Sequence, residues 1–451
     1  MYTENEIEGY GEGEASLVFH HKNGEFRKYE PKMYSDMATG KNQVKHGLFR
    51  DLVSTRGNRL MFFVLVMCFA LVLIVSLLSG KSEENAIDGL SFSLTAFEFS
   101  EKIYVSVDIK KLEKNEGNQE IKIQNIGDDC FKNIGLLKLR NPIKHGILSN
   151  EQDIIPLFNY IYSKLGVSPE EISEHPVVIT EPLLNPYSNR EKICNSLFDD
   201  LDIPSIFFAS QPILSLFSTS STSGIILESG EGVSQSCIVY EGYSLPNTFE
   251  RFDYGGGDVT EFLRLLLKKK GYQLFHSNEY RFISDIKEKY CFFVNKKYNL
   301  DLNNVKKALN AKKINYYLPD GNTVSLGDER ILASEILFNP ELIGKEYLGL
   351  SDIVLSSINK AEIQLRPKAF ENIVLSGGNN LMRGLEDKIK DDIIQKSNKI
   401  VKVNVSTVKE PQLSCWVGAS IISNLDIFKK ISVTKKEWAE KGSKVVHVKT
   451  I

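Results

Sequence analysis

Apolar and polar positions divide the chain into stretches of different texture. Near the N-terminus, SLVFHH and EFRKYE flank Lys22-Asn23-Gly24, a pattern that fits either a hairpin turning at Asn23-Gly24 or a solvated tail. Residues 60–78, LMFFVLVMCFALVLIVSLL, carry no charge. As a helix they would span roughly 28 Å, close to a bilayer's hydrocarbon core. Lys41, Lys45, Arg50, Arg56 and Arg59 precede this run and Lys81 alone follows closely. That asymmetry predicts a membrane span with its N-terminus cytoplasmic and everything after Gly80 translocated. LSFSLTAFEFSEKIYVSVDI (90–109) alternates apolar and polar residues and predicts two strands around Ser100-Glu101-Lys102. The polar LEKNEGNQE (112–120) reads as a joint.

Beyond about residue 127, strand and helix patterns alternate, as in an α/β domain. Asn150 can cap a helix that turns Ile154, Ile155, Phe158, Ile161, Tyr162 and Leu165 inward and stops at Gly166. Ser188 and Glu191 have the spacing of a capping box for REKICNSLFDDL. HPVVIT (175–180) and SIFFAS (205–210) read as buried strands, the second followed by a helix at residues 212–217. TSGIILESGEGVSQSCIVY (222–240) predicts strand, glycine turn, strand, and ENIVLSGGNNLMRGLEDKIKDDII (371–394) predicts strand, Gly-Gly turn, helix. SCWVGASIISNL (414–425) is a helix of small residues suited to close packing.

Composition narrows the function classes. With 42% apolar and 25% charged residues among 451, the chain is globular. Lys plus Arg total 55 against 58 Asp plus Glu, so no whole-chain field favours nucleic acid. Six scattered cysteines (Cys68, Cys130, Cys194, Cys237, Cys291, Cys415) include no C-x-x-C pair, which points to a reduced compartment without structural zinc. Seven histidines are dispersed, and none pairs with a nucleophile motif.

The chemistry that remains lies in three glycine turns. Ser229, Gly230, Glu231, Gly232 and Val233 join two apolar strands, where backbone N–H groups can turn toward an anion, although an ordinary hairpin has the same pattern. Glu228 ends the first strand, where a carboxylate could hold metal-bound water. Ser376-Gly377-Gly378 stands between a strand and a helix, a placement used for nucleotide phosphates. Tyr254-Gly255-Gly256-Gly257-Asp258 leads into VTEFLRLLLKKK. Together they suggest nucleotide binding between two lobes.

From Gly127 to Ile451 these runs, with NPIKHGILSN, SEHPVVITEPLLNPYSNREK, YEGYSLP, DIKEKYC, YYLPDG and CWVGASI, resemble the actin family. GYQLFHSNEY and FNPELIG are similar to its centractin branch, the filament subunits of dynactin. The resemblance implies a two-lobed α/β ATPase fold that binds ATP or ADP with Mg2+ or Ca2+ in its cleft. Catalytic roles would fall to Gln211, which positions the attacking water, and to Glu228, which holds the metal through water. Ser229, Gly230, Glu231, Gly232 and Val233 match the second phosphate loop. Gly256 matches a cleft residue, Lys287 and Glu288 match residues near ribose and base, and Gly377 and Gly378 match the adenosine loop. His145 matches a histidine often methylated in actins.

Departures are as informative. Glu228 and Glu231 stand where the family has aspartates. Gln235 replaces a histidine, Gln412 a lysine, and Asn379 and Asn380 depart from a threonine-rich loop. No Asp-x-Gly-Ser/Thr hairpin, the family's first phosphate loop, occurs in residues 1–126, so the opening strands are expected to be missing. The implied organisation is a polar segment (1–59), a transmembrane helix (60–79), a β-rich segment and linker (80–126) and an actin-like domain (127–451). The function expected is a cytoskeletal filament or dynactin-like subunit with an impaired cleft, in the cytoplasm, self-associating or binding other actin-family subunits or dynactin components. The alternatives are a single-pass adaptor inserted in the lipid bilayer through 60–79, or a chimeric reading frame joined near residue 126.

Overall fold

The computed structural model describes residues 18–22, 25–29, 95–97, 105–108, 123–127, 130, 137–272, 279–294, 302–319, 321–397, 402–425 and 427–449. Two compact units divide the chain at Ser93/Leu94. In the first, β1 (Val18–Lys22) and β2 (Glu25–Tyr29) form the hairpin, in register from Val18↔Tyr29 to Lys22↔Glu25. The apolar run 60–78 lies outside the described residues. No helix among the described residues is long and apolar enough to cross a membrane.

The second unit opens with β3 (Thr95–Phe97), β4 (Val105–Asp108), β5 (Ile123–Ile126), β6 (Leu137–Arg140), β7 (Ile143–Lys144), β8 (Ile147–Leu148) and helix α1 (Ile154–Leu165). Next come β9 (Val177–Glu181), α2 (Tyr187–Asn195), β10 (Ser205–Ser210), α3 (Gln211–Phe217), β11 (Gly224–Ser229), β12 (Ser234–Tyr240), β13 (Tyr243–Ser244) and β14 (Glu250–Phe252). Helices α4 (Gly256–Lys269) and α5 (Glu279–Tyr290) precede β15 (Ile314–Tyr317), β16 (Thr323–Leu326), β17 (Ile373–Ser376) and α6 (Leu385–Lys396). The chain closes with β18 (Val405–Thr407), α7 (Ser414–Ser423), β19 (Val433–Thr434), α8 (Lys435–Lys441) and α9 (Lys444–Lys449).

Two sheets organise these elements. The first has the order β19-β10-β9-β3, the second β13-β12-β11-β17-β18 with β14 beside β12. All five residues of β9 and all six of β11 are buried, as parallel strands covered on both faces require. Such strands read as continuous apolar runs, which is why VVIT and GIIL were legible. Each sheet carries its own core. Val177, Ile179, Ile206 and Phe208 pack with Ile154, Phe158 and Tyr162 of α1 on the first. Ile225, Leu227 and Leu375 pack with Val259, Leu263 and Leu267 of α4 on the second. Each leucine buried in this way contributes about 1.5–3 kcal/mol.

The chain crosses from first sheet to second through α3 and returns through α7. These helices touch very closely: a Cβ at Gly418 would lie 2.0 Å from the carbonyl oxygen of Leu214. Leu214 joins Val178 and Phe207 in one cluster, while Ile213 and Leu216 join Ile226 and Val374 in another. Helix α3 thus shares its faces between the two sheets.

Several expectations change. β3 pairs in parallel with β9, Thr95↔Val177 through Phe97↔Ile179, so this sheet does have a strand from the N-terminal side of Gly127. β4 pairs with β5 and β6 in a sheet that spans residue 126 continuously. β3 and β4, which lie within the strands expected at 90–109, fall in the second unit. The Ser188–Glu191 capping box does not form. Helix α2 starts three residues before the expected run, at Tyr187 behind Pro186, without a side-chain cap. The Glu191 carboxylate lies instead 2.9 Å from His447 Nε2 of α9. At α1, Asn150 does act as a cap, accepting from Gln152 N in a leading 3-10 turn, and Gly166 closes the helix with φ of 76°. Leu165 stays 43% exposed, so the inward face ends a turn sooner than expected.

Candidate functional site

The β11–β12 turn is held by Gly230 N donating to Val233 O at 2.9 Å. It docks on the start of α4, where Gly256 N donates to Gly230 O at 2.9 Å and Gly257 N to Glu231 O at 2.7 Å. Behind it, Gly377 comes directly after β17 with φ of 87°. A Cβ there would lie 2.3 Å from Ser229 O, so both conformation and space demand glycine. Gly377 and Gly378 lead into a four-residue 3-10 turn, residues 378–381, and α6 starts only at Leu385. The α-helix N-terminus expected right after Gly378 is therefore absent.

Side chains join what the turns bring near. Asn379, 4% exposed, donates through Nδ2 to Ser229 Oγ at 2.9 Å and to Gly230 O at 2.8 Å. Lys287 Nζ of α5 donates to Glu231 Oε2 at 3.1 Å and to Gly256 O at 2.9 Å. Tyr280 OH reaches Glu231 Oε1 at 3.4 Å. On the far side of the hairpin, His145 Nδ1 sits 2.8 Å from Gly232 O, and Arg251 anchors that segment by donating to His145 O at 2.7 Å. Val233 is buried within the hairpin.

Glu228 faces inward. Its Oε2 accepts from Gln235 Nε2 at 2.8 Å and its Oε1 from the Cys415 thiol at 2.9 Å. Burial pushes its carboxyl above the usual carboxylate range, against the opposing bonds from Cys415 and Gln235. Gln235 also donates to Gln211 Oε1 at 3.2 Å and accepts Leu183 N at 2.7 Å. Cys415 lies 3.1 Å from Ser215 Oγ, and Ser376 Oγ lies 2.6 Å from Ser414 Oγ. A buried polar chain thus runs from Glu228 into the α3–α7 contact.

The structure brings together Glu228 and Gln211 through Gln235. It brings together Ser229, Gly230, Glu231, Gly256, Lys287 and Gly377 around Asn379. Glu288 is not in that group: it is exposed on α5 and accepts from Ser284 Oγ at 3.3 Å. Asn380 Oδ1, three residues after Gly377, and Gln412 Oε1, next to the Pro411 carbonyl that accepts Gly377 N, are buried acceptors without a bond. Cys415 and Tyr280 were not foreseen as participants. No local signal could single out Cys415, since its thiol meets a carboxylate 187 positions away.

The fit to a metal-bound nucleoside phosphate is incomplete. Both Glu228 oxygens are engaged by protein donors in a buried position. Glycine turns, a buried lysine and a glutamine at a helix start have the right residue types. Their bonds point to one another.

A family model described as Actin matches residues 98–451, beginning well before Gly127. An "Actin-like protein" of Neurospora crassa is 37% identical over 316 residues, covering 70% of this chain and 82% of that protein.

Proposed function

The chain belongs to the actin family, and we propose that it serves as an actin-related structural subunit, of a filament or a dynactin-like assembly, that does not hydrolyse ATP. The carrying observation is Glu228, which is buried and bonded by Gln235 and Cys415 on its two oxygens. Phosphoryl transfer is mostly positioning and electrostatics, so a carboxylate held inward cannot organise metal waters. The sequence after β3, Glu98-Phe99-Ser100-Glu101-Lys102, also has no glycine turn to face the one at 229–233. Full-length protein with Mg-ATP is expected to release no phosphate. Sustained turnover would overturn this reading. Cosedimentation with dynactin components, or with itself, tests the assembly role.

The apolar run 60–78 favours a second reading, a membrane-anchored adaptor with an actin-like binding module. Extraction of full-length protein from membranes by carbonate separates the two: an anchored protein stays with the lipid.

A further inference from the structure

Two helices and a hairpin of the second unit end at one turn, Gly327 to Glu329. Helix α4 ends at Lys269 and is capped by Lys270. The helix Leu302–Ala311 runs into Lys312-Lys313, and Ile314 of β15 pairs with Leu326 of β16 beside Gly327. A Cβ at Gly327 would lie 2.3 Å from Asn310 Oδ1 and 3.5 Å from Lys270 Nζ. Asn310 Oδ1 also accepts from Asp328 N at 3.2 Å, which ties the second helix to the turn.

The acids at this turn are already engaged. Lys270 Nζ donates to Asp328 Oδ1 at 3.4 Å and to Glu329 Oε2, and the Glu329 side chain is 1% exposed. Residues 302–313, LNNVKKALNAKK, hold four lysines and no acid, and none of residues 303–313 is buried. Lys269, Lys307, Lys312 and Lys313 are exposed and form no ion pair among the described residues. The helix dipole favours lysine at a C-terminal end, which accounts for Lys269 and Lys312. It does not account for Lys306 and Lys307 in mid-helix, or for Lys313 before a strand. Crowded charges of one sign repel, and surfaces ordinarily intersperse both signs.

We propose that Lys269, Lys306, Lys307, Lys312 and Lys313 form a docking surface for an acidic polypeptide segment, rich in glutamate or aspartate, of a partner protein. Carboxylates suit it better than phosphates. Phosphate and nucleic-acid recognition favours the planar fork of arginine, whereas these cations are all lysine and the α4 arginine, Arg264, donates to Glu261 at 2.9 Å. This goes beyond the subunit reading, and ATP turnover or membrane anchoring would leave it unchanged.

The test is anisotropy of a fluorescein-labelled polyglutamate peptide titrated with the full-length chain. Binding is expected at about 50 mM salt and is expected to weaken more than about tenfold at about 500 mM. Lys307→Glu with Lys312→Glu should weaken it about tenfold, because two attractions become repulsions. Lys429→Glu with Lys430→Glu, exposed lysines elsewhere, should leave it within about twofold. Absence of peptide binding, or equal weakening by both double variants, overturns the docking surface. If oligothymidylate or phosphatidylserine vesicles bind more tightly than the peptide and lose binding in the first double variant, the surface is a phosphate site and the acidic-peptide assignment falls. Should that variant fail to melt cooperatively, Lys312→Gln with Lys313→Gln decides by the same comparison.

Discussion

β3 and β11 hold comparable places in the two sheets and end differently. β3 runs parallel to β9, which is parallel to β10; β11 runs parallel to β17, which is parallel to β18. β11 then doubles back through a glycine turn into β12, so it pairs on one edge from Gly224↔Val239 to Ser229↔Ser234 and on the other from Ile225↔Ile373 to Glu228↔Ser376. β3 is three residues long, and among the described residues it pairs on one edge only. The residues just after β3, Glu98 to Lys102, include two glutamates and no glycine. One sheet has a glycine turn after its strand, while the sequence that follows the other sheet's strand holds no glycine. Sheet completion and phosphate binding are thus separable demands: backbone pairing accepts almost any short extended segment, whereas a phosphate nest requires glycine at set positions.

Proline substitution measures that asymmetry directly. Ile226→Pro removes a ladder donor in a central strand and should cost more than about 4 kcal/mol, seen as loss of the cooperative transition in urea. Gly377→Ala should cost about 3 kcal/mol, because φ of 87° and the 2.3 Å approach to Ser229 O both resist a side chain. Ala96→Pro, on the one-sided β3, should cost about 1–2 kcal/mol. If Ala96→Pro proves as damaging as Ile226→Pro, the two sheets depend equally on their first strands and the contrast fails.

A smaller effect belongs to the C-terminal clasp of the first sheet. The Lys449 ammonium, followed by the Thr434 backbone N–H, holds the Glu437 carboxyl down at about 2 from its ordinary 4.5. A depressed carboxyl contributes stability that is present above about pH 4.5 and is lost as the pH falls toward 2. Because both partners of the ion pair stay partly open to water, at 23% and 24% side-chain exposure, screening should hold the effect to about 1 kcal/mol. Glu437→Gln should flatten the stability profile between those two pH values in thermal melts, leaving the second sheet's sensitivity to Gly377→Ala intact.

Much of the second unit was legible along the chain. SIFFAS is a strand at the boundaries read from its apolar run, and Gly166 ends α1 as glycine after a periodic helix should. Local periodicity carries such elements because their contacts are made by neighbours two to four positions away. Where a side chain had a choice of partners, reading by spacing failed. Ser188 and Glu191 have capping-box spacing, yet Glu191 meets His447 256 positions away. The glycine turns were visible as turns, and their direction was not: Gly377 opens a 3-10 turn, and Glu228 turns toward Cys415.

The sequence by itself determined the order of strands and helices, the three glycine turns, the residues at which the family's aspartates, histidine and lysine are replaced, and the absence of an Asp-x-Gly-Ser/Thr hairpin. Those are matters of residue type and local spacing. Tertiary structure alone decided that Thr95–Phe97 completes the edge of β9, and that Asn379, Glu231 and Lys287 close on Gly256. It also decided that Glu228 spends its oxygens on Gln235 and Cys415. The reason is that a polar group withdrawn from water must find whichever donor packing brings within about 3 Å. Packing of α3 on α7, and of the β11–β12 turn on α4, supplies those donors from distant parts of the chain.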